Sequence, residues 1–122
     1  MIIAIDFDGT LVVDEFPKIG RLRENAKEVV NLLCNEGYYI VIWTCRTGMR
    51  LTEAIDFLNA QGIRFHAVNE SHPGNISAYG GIDTRKIFAD VYIEDKCVFH
   101  QHDWMKIYAA IHLKFDRYEG IW

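Results

Sequence analysis

The run Ile2-Ile3-Ala4-Ile5, followed at once by Asp6-Phe7-Asp8-Gly9-Thr10, constrains the fold of this chain more than any other feature. An unbroken apolar, mostly β-branched run suits a strand covered on both faces, as strands of a parallel sheet are. Its abrupt end in two carboxylates and a glycine marks a strand end. In open parallel sheets, ligands bind outside the carboxyl ends of the strands.

The same pattern recurs along the chain. Residues 39–43 are apolar and end at Thr44-Cys45-Arg46-Thr47-Gly48; residues 63–68 predict a third strand; residues 90–93 predict a fourth, ending at Glu94-Asp95-Lys96. Helical stripes separate them. Leu22, Ala26, Val29, Val30 and Leu33 share one face before Gly37, and Leu51, Ala54, Ile55 and Leu58 do so before Gly62. Residues 69–82, rich in Gly, Ser and Asn, read as a long irregular loop, and Val98-Phe99 as a short edge strand. Asp103 is placed to cap a last helix that reaches Phe115 and buries Trp104, Ile107, Tyr108, Ile111 and Phe115. Strand–helix alternation predicts an α/β fold: a three-layer, Rossmann-like, doubly wound parallel sheet. With 122 residues, the expectation is a single domain over residues 1–122.

Composition narrows the function classes. The chain carries 13 basic and 17 acidic residues, net −4, without a basic cluster, which argues against an extended nucleic-acid surface. No run approaches the ~20 apolar residues of a membrane span. The apolar start is too short for a signal peptide and lacks a basic flank. Cys34, Cys45 and Cys97 have no C-x-x-C spacing, so free thiols in a reducing cytoplasm are expected rather than disulfides or zinc. The terminal Ile121-Trp122 pair is apolar enough to dock on a neighbour or fold back on the chain.

A parallel sheet would bring Asp6, Asp8, Thr44, Glu94 and Asp95 to one edge, with Lys86 just ahead of the fourth strand. Clustered carboxylates repel one another and attract a cation, and an all-oxygen set suits magnesium. Gly9 would let the backbone turn tightly and present N–H groups to phosphate oxygens. One Asp could attack phosphorus to form an acyl phosphate, and the other could protonate the leaving oxygen and then activate water.

These motifs resemble those of the haloacid dehalogenase superfamily of phosphohydrolases. Asp6-Phe7-Asp8-Gly9-Thr10 resembles its first motif, Thr44 its second, Lys86 its third and Glu94-Asp95 its fourth, in the family's order from Ile2 to Asp95. The resemblance implies a magnesium-dependent phosphatase cleaving phosphate monoesters. Asp6 would be nucleophile and metal ligand, and Asp8 would be acid/base with its carbonyl on the metal. Thr44 would bind the phosphoryl oxygen, Lys86 would neutralise its charge, and Glu94 and Asp95 would hold the ion. The fourth motif departs from the usual paired aspartates by starting with Glu94. Phe7, Gly9, Cys45 and Arg46 are candidate substrate contacts, although Cys45 reads better as buried packing and Arg46 equally well as the partner of a neighbouring acid. The segments 11–20 and 69–82 are too short for a cap domain, which implies a capless member whose partner is a phosphorylated substrate.

Other classes fit less well. A receiver-like regulatory domain would carry its phosphoacceptor Asp after the third strand, where this chain has Ala67-Val68-Asn69-Glu70. A non-catalytic phosphate-binding domain is the alternative function. A dinucleotide fold lacks its G-x-G-x-x-G. His66 and His72 have no third partner that would make them metal ligands, and the His100/His102 pair has ligand spacing but reads better as an ordinary strand or loop end.

Overall fold

The computed structural model describes residues 1–119, with side chains through residue 115; the Ile121-Trp122 pair lies outside the described residues. Strands β1 (Ile2–Ile5), β2 (Tyr39–Ile42), β3 (Ala67–Val68) and β4 (Val91–Ile93) form one sheet in the order β3-β2-β1-β4, with every pairing parallel. Helices α1 (Ala26–Asn35), α2 (Gly48–Gln61), α3 (Pro73–Ala78) and α4 (Trp104–Glu119) alternate with the strands. The expected Rossmann-like α/β parallel sheet is what the chain forms.

The two faces of the sheet are covered unequally. Ile3, Ile5, Ile40, Ile42 and Ile93 pack against Val29, Val30 and Leu33 of α1, Leu58 of α2, and Trp104, Ile107 and Ile111 of α4. Val41 and Ala67, on the other face, meet Ile87, with Trp43 and Tyr39 alongside. β1 is central and buried on both faces, which explains its unalternated apolar run. Among the described residues no helix is long and apolar enough to cross a membrane.

Several elements differ from the pattern in the sequence. Residues 69–82 are not wholly irregular. Pro73 opens α3, and His72 Nδ1 accepts the Gly74 N–H at 2.9 Å as a side-chain cap. β3 starts at Ala67: His66 N still donates to Ile40 O at 2.8 Å, but Ile40 N donates to the His66 ring, at Nδ1 2.9 Å away, in place of a backbone carbonyl. Val98 and Phe99 lie in a turn, 88% and 93% exposed, and make no edge strand. α1 starts at Ala26, since Leu22 is bridged to Val12. Asp103 caps α4 as expected, accepting Met105 N at 3.0 Å.

Candidate active site

Strand register places the acidic residues. Ile5 pairs with Ile42 and with Ile93, so the next residues emerge together at the carboxyl edge. Asp6 N donates to Ile93 O at 3.0 Å and Trp43 N to Ile5 O at 2.8 Å, carrying the ladder to the rim. Carboxylate oxygens of Asp6, Glu94 and Asp95 lie within 4.8 Å of one another. Asp6 and Glu94 border a cleft of about 310 Å³ lined also by Asp8, Asp14, Phe16, Thr44, Cys45, Arg46 and Lys96.

Gly9 lets Asp95 come this close. Its φ is +87°, in the region that favours glycine, and a Cβ there would lie 2.2 Å from Asp95 Oδ2. The Gly9 N–H is spent on Val12 O at 2.8 Å, so Gly9 offers no donor to a phosphate. Its role is to leave room for a carboxylate, not to contact substrate. Thr10, absent from the expected site, joins the two acids. Its hydroxyl donates to Asp6 Oδ2 at 3.2 Å and accepts Asp95 N at 3.0 Å, while its carbonyl accepts the Trp104 indole N–H at 3.1 Å. Its place four residues after Asp6 was visible; its tie to Asp95 depends on β4.

Burial, reinforced by the Asp95 carboxyl in hydrogen-bond contact and the charge of Glu94, pushes the Asp6 pKa up to about 8. Asp95 is held below the usual range, with burial opposing and the Asp6 contact prevailing together with Glu94 and Lys96. Asp95 Oδ1 is buried, and among the described residues no hydrogen-bond donor reaches it. Three converging carboxylates, one with an orphaned buried oxygen and one driven to keep its proton, form a donor set that a hard cation would satisfy. These residues could hold a metal ion. The Asp8 carboxylate is not among the three.

Asp8 is turned to Arg46 instead. Arg46 Nε donates to Asp8 Oδ2 and Nη2 to Asp8 Oδ1, both at 2.7 Å. Nη1 donates to Pro17 O and Arg50 O, and Nη2 also to Lys18 O. All five guanidinium N–H groups are therefore committed. Arg46 is 2% exposed. Of the two readings of Arg46, pairing with a neighbouring acid is the one the chain adopts; substrate contact is corrected, because no donor remains, and its work is to position Asp8. Phe7 is likewise fully buried, its ring against Phe57 and beneath the Arg46 guanidinium, so its side chain cannot meet substrate.

Thr44 lines the cleft; its N–H donates to Asn69 Oδ1 at 2.8 Å and its hydroxyl accepts Arg46 N at 3.1 Å. Asn69, with φ 52°, went unnoticed in the sequence because its tie to Thr44 spans β3. Cys45 is exposed in the cleft and is not core packing. Lys86 does not line the cleft. Its ammonium lies 5.5 Å from the centroid of the Tyr92 ring, and that ring rests on Trp43, the neighbour of Thr44. Tyr92 also fixes the segment after Lys86, donating to Ile87 O and accepting Ala89 N. The lysine in the cleft is Lys96, with Nζ 3.7 Å from Asp95 Oδ2.

Fold and site together define a Rossmann-like α/β protein with a carboxylate cluster at the carboxyl edge of its parallel sheet. A solved structure of a conserved protein from Bacteroides thetaiotaomicron is 38% identical, with the match covering 93% of this chain and 91% of that one at a TM-score of 0.84. The chain belongs to the same family as that protein. No family model matches the sequence, and no curated protein does.

Proposed function

We propose that the protein is a magnesium-dependent phosphohydrolase of the haloacid dehalogenase type, working in the cytoplasm on phosphate monoesters. The observation that carries this reading is the convergence of the Asp6, Glu94 and Asp95 carboxylates, with Asp6 and Glu94 sharing a cleft with Thr44, in the chain order that the resemblance implies. Bound magnesium would supply charge neutralisation for the carboxylates and the phosphoryl oxygens. Asp6, Glu94 and Asp95 would hold it.

Asp6 sits at the end of the central strand with one oxygen oriented by the Thr10 hydroxyl. An Asp6 oxygen bonds to phosphorus as the bond from phosphorus to the leaving oxygen breaks, giving an aspartyl phosphate. Asp8, whose two oxygens both accept from Arg46, takes up a proton from solvent and delivers it to the leaving oxygen. It then takes one from the water that attacks the aspartyl phosphate, releasing phosphate and restoring Asp6. Thr44 binds a phosphoryl oxygen. Lys86, as the resemblance implies, balances phosphoryl charge.

The test is phosphate release from a panel of phosphate esters, with wild type, Asp6→Asn and an EDTA control in parallel. Release that requires both magnesium and Asp6 is the expected result. No release from any ester, with magnesium still bound, would move the reading to a non-catalytic phosphate-binding domain.

A further inference from the structure

We infer that the natural substrate carries a planar aromatic ring on the leaving-group side of its phosphate, and that Phe16 is the platform on which this ring stacks. The inference rests on the phosphohydrolase reading and adds a substrate class to it.

Phe16 lines the same cleft as Asp6, Thr44 and Lys96, yet its side chain is far from buried, the residue being 58% exposed. Most of the other groups around it are polar or charged. An aromatic ring kept in water beside reacting groups gains most from a partner that covers its face. Part of the ring already has support: the Arg46 guanidinium lies 5.1 Å from its centroid and 5.2 Å from that of Phe7. The exposed remainder therefore ends a stacked arrangement that begins in the core.

The loop carrying Phe16 is held still by the residue that orients Asp8. Arg46 Nη1 donates to Pro17 O at 3.3 Å and Nη2 to Lys18 O at 3.0 Å. Phe16 N donates to Asp14 Oδ1 at 3.2 Å, Lys18 N to Glu15 O at 3.0 Å, and Val13 N to Arg21 O at 2.9 Å. A platform fixed in advance loses little freedom when a ligand settles on it. Because Arg46 grips both Asp8 and this loop, the ring and the acid/base group keep a constant spacing. An aliphatic leaving group would meet the same ring with less shared area. A nucleobase or a phenol would cover it, and both have the chemistry required.

The experiment uses the full chain with the Asp6→Asn substitution, so that binding is read without turnover. Calorimetry in magnesium compares two matched pairs: adenosine 5′-monophosphate with ribose 5-phosphate, and phosphotyrosine with phosphoserine. Within each pair the phosphate is the same and the ring is the difference. The ring-bearing member of at least one pair should bind about tenfold more tightly, and which pair shows it separates a nucleobase from a phenol. Adding Phe16→Ala or Phe16→Leu should bring that ratio near one, and Phe16→Trp should keep it. A ratio near one with Phe16 present would overturn the inference, as would a preference that survives Phe16→Leu, since leucine covers Arg46 without offering a planar face. If ribose 5-phosphate is bound and hydrolysed while the preference is missing, this inference alone fails. If no ester binds and the wild type releases no phosphate, the phosphohydrolase reading fails with it.

Discussion

The guanidinium of Arg46 holds both carboxylate oxygens of Asp8 at 2.7 Å, in a pair whose Arg side chain is 1% exposed. Removing one partner of a buried pair strands the other. Arg46→Ala should cost about 3 kcal/mol of stability. Arg46→Lys keeps the charge but not the fork, and should lower kcat at least tenfold with a smaller change in KM. Denaturant unfolding and steady-state kinetics check both. A loss under about 1 kcal/mol in Arg46→Ala would mean that the pair contributes no more than an exposed one.

Gly9 is the point where the first strand-end turn meets the fourth. Gly9→Ala adds a carbon 2.2 Å from Asp95 Oδ2 at a φ of +87°. The strain of that φ alone is about 1–2 kcal/mol. The displaced Asp95 should also weaken magnesium-induced stabilisation, read as a smaller rise in Tm on adding the ion. An unchanged rise would show that Asp95 takes no part in holding it.

Asp6 gives the metal-free protein a characteristic pH response. Its pKa is raised from 3.8 to about 8, so the folded state holds a proton that the unfolded state releases. The stability this contributes is full below about pH 4 and is lost as pH rises through 8. Asp95, with a lowered pKa, acts in the opposite sense and only at the acid end. His102, also lowered, acts oppositely near neutrality, but is common to wild type and Asp6→Asn. In EDTA, the stability of wild type relative to Asp6→Asn should therefore fall between pH 5 and 8. Added magnesium should raise the wild-type Tm more at pH 8 than at pH 5, because the ion has to displace that proton. Parallel pH curves for the two proteins in EDTA would refute the raised pKa.

The two lysines separate by kinetics. Lys86→Ala should lower kcat tenfold or more, because charge on the phosphoryl group grows in the transition state. Lys96, 74% exposed, should affect KM by only a few-fold when replaced by alanine. The reverse pattern would transfer the phosphoryl-neutralising role to Lys96, the lysine that lines the cleft.

Thr10→Val keeps shape while deleting the hydroxyl between Asp6 and Asp95. The half-buried Asp95 N–H loses its acceptor, which should cost about 1 kcal/mol. Turnover should fall as Asp6 loses its donor. Serine at this position should restore most of both, which unfolding curves and rate assays would show.

Much of this architecture is legible in the residues alone. β1, β2 and the stripes of α1, α2 and α4 follow from periodicity, because a buried strand or helix face has to be apolar at fixed intervals whatever surrounds it. The convergence of Asp6, Thr44 and Glu94-Asp95 follows from the same logic, since parallel strands share a carboxyl edge. Contacts between distant segments do not repeat at any interval. That Arg46 spends its donors on Asp8 and three carbonyls, that Phe7 turns inward while Phe16 stays out, that Gly9 makes room for Asp95, and that Lys96 rather than Lys86 lines the cleft were all decided by packing. A side chain's partners depend on which loops the sheet brings together, and local sequence pattern carries no record of that.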